Sequence, residues 1–139
     1  MKILRFVVAV LVGVVVSRIV LDGGSVVLRT AWPAYALAEP DRAYSLAMLL
    51  VRLVMFSTMI AAVSASGTLV ARDHRFSWFA GSIILAISIP PHLYPGHVWE
   101  FYPPWYHIVY LLSIVPLALS AGHLARRFAP EPRIGAPAV

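Results

Sequence analysis

The chain has 139 residues, is 60% hydrophobic and only 12% charged, and contains no cysteine. A soluble domain of this size carries about twice that charge, and the missing cysteine excludes disulfides, thiolate metal sites and thiol catalysis. The net charge of +5 does not point to nucleic acid, because the basic residues sit at the ends of apolar runs and do not form one face.

Four such runs are present: Ile3 to Leu21, Tyr44 to Ala71, Phe76 to Ile89 and Trp105 to Leu124. A bilayer core is roughly 30 Å thick and needs about 20 apolar residues per helix. Three runs meet that length, and the third does if it continues through Pro90 to Tyr94. The expected fold is all-α: a polytopic membrane protein, a four-transmembrane-helix bundle with an ordered aromatic- and proline-rich outer loop. Residues 1–127 are expected to form one domain, and 128–139, rich in Pro, Ala and Gly, a disordered tail.

The first run begins Met1-Lys2 and resembles a secretion signal, but Ala36-Leu37-Ala38 lies too far downstream to be its cleavage site. It is read as a retained helix. Gly23-Gly24 is expected to end it. The connection from Asp22 to Ala43 then lies on or dips into the membrane interface. The short turn Arg72-Asp73-His74-Arg75 makes the second and third helices antiparallel neighbours. The stretch from Pro90 to His107 holds five prolines and six aromatics, and is expected to be stiff, non-helical and seated at headgroup level. Pro104 suits the first turn of the last helix, and Pro116 interrupts its hydrogen bonding.

Charge sets the orientation. Lys2, Arg5, Arg72, Arg75, Arg126, Arg127 and Arg133 fall on one side. Arg18, Arg29, Arg42 and Arg52 fall on the other, balanced by Asp22, Glu39, Asp41 and Glu100. The side with excess positive charge is the cytoplasmic one, so both termini face inward across a bacterial inner membrane. Sets of small residues spaced for close packing are Ala9, Gly13 and Ser17; Ser57, Ala61 and Ala65; Ser82 and Ala86; Ala118 and Gly122.

Candidate chemistry is sparse. Arg52 lies inside an apolar run, near its outer boundary, on a face with Met48, Met55 and Met59. It reads either as a snorkelling anchor or as a wall of an outward-facing polar pocket. Arg18 and Asp22 are spaced to pair along one helix. Arg18 is otherwise a second guanidinium for an anionic group. Glu100 and His107 flank the start of the last span. His92, His97 and His107 near Glu100 match no metal-ligand spacing. No catalytic triad, phosphate loop or carboxylate pair is readable, and the absence of an acid deep in any span counts against proton-coupled transport.

No cofactor is expected. The leading expectation is a non-enzymatic accessory, scaffold or lipid-associated component, with membrane lipids, protein subunits or further copies of itself as partners. The alternatives are a lipid- or quinone-binding protein with a site at Arg18, Arg52, Glu100 and His107, and an oligomeric transporter or channel.

Overall fold

The computed structural model describes residues 2–93 and 98–128. Its elements are α1 (Lys2–Ala31), α2 (Pro33–Ala38), α3 (Leu46–Ala71), α4 (Arg75–Leu93), a 3₁₀ turn (Trp99–Phe101) and α5 (Pro104–Phe128). Helices α1, α3, α4 and α5 are each long and apolar enough to cross a membrane.

The boundaries follow from local chemistry. α1 stops where Trp32, extended at φ −135°, precedes Pro33, because a proline pushes the residue before it out of the helical region. Ser45 caps α3 by accepting from the Met48 N–H. α3 closes on Arg72 in the left-handed region, φ 53°. Asp73 then turns the chain by accepting from the Arg75 N–H at 3.0 Å. Pro104 opens α5, where a missing N–H costs nothing.

Three expectations are corrected. Gly23-Gly24 does not end α1, which runs on to Ala31. A Cβ on Gly24 would lie 2.9 Å from the Met55 sulfur, so this glycine admits a close approach of α1 to α3. Pro90 and Pro91 lie inside α4 where a non-helical stretch was expected, so the third apolar run does reach spanning length. At this last turn His92 Nδ1 takes the Ser88 carbonyl at 3.0 Å, and the Val98 N–H takes that of Pro91 at 3.1 Å. Finally, the small residues that pack α3 and α4 are not all those expected. Ser57, Ala61 and Ala65 are only half-buried, and Ser82 and Ala86 are exposed. Gly67 and Thr68 of α3, and Ser77, Ala80 and Gly81 of α4, are buried instead. Ala9, Gly13, Ala118 and Gly122 are buried as expected. Residues 94–97, including His97, and the tail from 129 lie outside the described residues.

α3 is central and packs against α1, α4 and α5, while α4 also packs against α5. The core gathers Ala9, Ile60, Val63, Phe76, Ala80, Ile114 and Ala118. Ser64 donates to the Ala118 carbonyl at 2.5 Å and ties α3 to α5. A Cβ on Gly122 would sit 2.5 Å from that of Ser77, so α4 and α5 touch nearly backbone to backbone. α1 rests chiefly on α3. Between α1 and α4 this leaves a gap, floored by α3.

Candidate functional site: an arginine in an aromatic box

Arg52 is one and a half turns into α3, at the end of the molecule that carries α2 and the 3₁₀ turn. Its Nη1 donates to the hydroxyls of Tyr35, at 2.6 Å, and Tyr44, at 3.1 Å. The guanidinium carbon lies 4.7 Å from the Tyr44 ring centre and 5.8 Å from those of Phe56 and Tyr102, so ring faces meet the charge on several sides. Among the described residues no carboxylate forms an ion pair with it, and its Nε is buried without a hydrogen-bond partner.

The box is assembled from two connections, α1 to α3 and α4 to α5. α2 brings Tyr35, fully buried. Tyr44 precedes the α3 cap. The segment before α5 brings Tyr102, whose ring stacks on Tyr44 (5.9 Å, 8°) and on Tyr106 (4.9 Å, 21°). His107 holds this last segment down. It is 1% exposed, and its Nε2 donates to the carbonyls of Tyr102 at 3.2 Å and Trp99 at 3.3 Å. It also stacks on Trp99 at 4.5 Å. His107 therefore positions Tyr102 from behind.

Arg52 opens on a cavity of about 470 Å³, lined also by Glu39, Arg42, Tyr44, Phe56, Ser88, His92, Val98, Tyr102, Tyr106 and Tyr110. Its polar wall is rich in donors. Tyr44 accepts from Arg52, so its own O–H is left to donate. Burial pushes the Tyr44 phenol up to about 12, which keeps it protonated at neutral pH. Arg42 lies over the Phe101 ring at 4.1 Å. Glu39 is engaged by Arg29 at 2.5 Å, and that bond holds its carboxyl below the ordinary range.

A second cavity, of about 370 Å³, lies in the gap between α1 and α4 and is almost wholly apolar. Val10, Gly13, Val14 and Leu21 form one wall, Ala80, Ile83, Ile84 and Ile87 the other, and Met59 and Val63 the floor. Phe6 meets Phe76 at 5.4 Å and Phe79 at 5.0 Å, bridging α1 and α4 near the far end. The two cavities share Phe56, Ile87, Ser88 and Tyr110. A polar chamber and an apolar groove thus adjoin at the Ser88–Tyr110 hydrogen bond of 3.2 Å.

The four residues singled out from sequence are distributed unevenly. Arg52 lines the polar chamber and His107 supports its wall. Arg18 pairs with Asp22 at 3.0 Å on an exposed face of α1 and is absent from the chamber lining. Glu100 is exposed, in the 3₁₀ turn. The residues that complete the chamber (Tyr35, Tyr44, Tyr102, Tyr106, Arg42 and His92) were legible only as interfacial aromatics and charges. Among the described residues no three His, Cys, Asp or Glu side chains gather as a metal-ion set. No protein-family model, curated protein or solved structure matches the chain.

Proposed function

We propose that this chain is a non-enzymatic integral protein of a bacterial plasma membrane that holds an amphiphile, head in the Arg52 chamber and tail in the α1–α4 groove. The membrane setting is supported by the apolar exterior. Ile3, Leu11, Ile19, Ile87 and Leu112 all stand more than half exposed, which suits lipid and not water. The sidedness rests on charge. Lys2, Arg5, Arg72, Arg75, Arg126 and Arg127 cluster toward the α3–α4 turn end, which makes that end cytoplasmic. Arg52 is 19 residues from Ala71, about 29 Å along the helix, and so falls near the outer boundary of the hydrocarbon.

The observation that carries the reading is the state of Arg52. A guanidinium at this depth is expensive unless it is paired, hydrated or snorkelling. Here it is turned into an aromatic box on the wall of a chamber adjoining an apolar groove, and among the described residues it makes no ion pair, the nearby Glu39 being engaged by Arg29. A headgroup that accepts hydrogen bonds supplies the missing partner. A lipid and a quinone both meet that description. Arg18, paired and exposed on another face, is an interfacial anchor in this account.

The test is mass spectrometry of protein gently extracted from its membrane. Wild type and Arg18→Gln should retain a common amphiphile, and Arg52→Gln should lose it. Equal retention by all three proteins would reject the reading. The same spectra report any subunit or second copy that travels with the chain.

A further inference from the structure

Resting on that reading, we infer that the head of the bound amphiphile is an oxyanion, a carboxylate or phosphate, and not a neutral carbonyl or alcohol. The chamber's charge is the argument. Arg42 and Arg52 both line it, and among the described residues neither makes an ion pair. Glu39 is the one carboxylate among the described lining residues, and Arg29 already engages it. Half-buried Arg52 and exposed Arg42 therefore outnumber the single carboxylate, already engaged by Arg29, and leave the described lining with an excess of positive charge, which around Arg52 is screened less than in water.

The hydrogen-bonding capacity agrees. The chamber is lined by two arginines and by Tyr44, Tyr102 and Tyr106, side chains that each carry a hydrogen-bond donor. Oxyanions accept several such bonds at once, and bonds to an ionised acceptor are roughly twice as strong as neutral ones. A quinone carbonyl uses the same donors but leaves both charges unneutralised. The groove supplies the second half of the recognition. Val10 to Leu21 of α1 bounds it over about 16 Å, enough for much of one acyl or prenyl chain. The gap between the helices lets such a chain enter sideways from the lipid.

The experiment uses the full chain in discs of zwitterionic lipid and reads the thermal midpoint as amphiphile is added, since a ligand of the native state stabilises it. Dodecyl phosphate and dodecanoate should raise the midpoint saturably, at concentrations at least tenfold below those needed for dodecanol or a decyl-substituted quinone. A stronger response to the phosphate or to the carboxylate identifies which oxyanion is preferred. Inorganic phosphate and acetate should have no effect, because they lack the tail. Arg52→Gln and Arg42→Gln should each weaken the dodecyl phosphate response about tenfold or more. Arg52→Lys, which keeps the charge, should retain most of it even if Arg52→Gln folds poorly. Equal affinity for dodecanol or the quinone overturns the oxyanion inference and leaves the amphiphile reading standing. Inorganic phosphate acting as well as dodecyl phosphate overturns the role of the groove. No response to any amphiphile overturns the reading itself.

Discussion

The two ends of the molecule are held together by opposite means. Toward the α3–α4 turn, α3, α4 and α5 meet where side chains are smallest, at Gly67, Thr68, Ser77 and Gly122. Little hydrogen-bonding capacity is left over at those contacts, and the buried Thr68 hydroxyl is the exception among the described residues. At the end that carries α2 and the 3₁₀ turn, Tyr35, Tyr44, Tyr102 and Tyr106 gather around one guanidinium beside a chamber. Aromatic rings cover area but do not close it, and Arg52 keeps unused donors. Close packing makes a region inert, whereas an aromatic box around a charge leaves it chemically unfinished. The first arrangement supplies rigidity and the second supplies a site.

That contrast can be broken first at its tight end. A Cβ on Gly67 would lie 1.9 Å from the Phe76 ring, and Phe76, 2% exposed, must then shift against the apolar groove that it lines. Gly67→Ala should destabilise the protein by about 1–3 kcal/mol, the usual range for overpacking, in a denaturant titration in detergent micelles. The displaced Phe76 ring narrows the groove, but the folded fraction should still prefer dodecyl phosphate to dodecanol, because Arg52 lies at the other end. Loss of that preference by well-folded Gly67→Ala protein would show that the two ends are not separate.

At the open end, His107→Leu removes the donor to the carbonyls of Trp99 and Tyr102. Leaving buried acceptors unsatisfied costs about 1–3 kcal/mol, and Tyr102 should loosen from its stack with Tyr44. Amphiphile retention and the preference for an oxyanion head should therefore fall together with stability. Ser64→Ala is a smaller probe. It deletes the bond to the Ala118 carbonyl, should cost about 1 kcal/mol, and should leave retention unchanged.

The smallest effect is a pH dependence. The bond from Arg29 lowers the Glu39 carboxyl below its ordinary value of 4.5. A depressed acid contributes stability that is fully present above its unfolded value and is lost as pH falls through the folded one. The gap in thermal midpoint between wild type and Glu39→Gln should therefore be constant from neutrality down to about pH 5, and then close on further acidification. A gap that widens on acidification would contradict the assignment.

The four long apolar helices were legible because bilayer thickness converts directly into a residue count. The place of Arg52 near the start of α3 was legible from the same count, and the Arg18–Asp22 pair from its four-residue spacing on one helix. Helix rotation was not legible. α3 carries apolar residues on every face, so nothing in its pattern distinguishes Ser57, Ala61 and Ala65 from the buried Ser64, Gly67 and Thr68. Gly24 was read as a stop because a glycine pair commonly ends a helix, while its use against Met55 depends on a residue 31 positions away. The aromatic box had a signal, the concentration of tyrosines beside the spans. That they turn inward onto Arg52 is set by α2 and by the grip of His107, both of them tertiary facts.

The account stands most directly on the Arg52 guanidinium. Arginine-labelled protein in lipid discs gives a resonance for each guanidinium by nuclear magnetic resonance, and Arg52→Lys identifies the one at issue. On titration with dodecyl phosphate, the Arg52 signals should shift saturably and become slow to exchange with solvent, while those of Arg18 and Arg126 stay in place. Arg52 signals that do not move, or that move in step with Arg18, would make this residue an ordinary interfacial anchor and leave the chamber without its ligand.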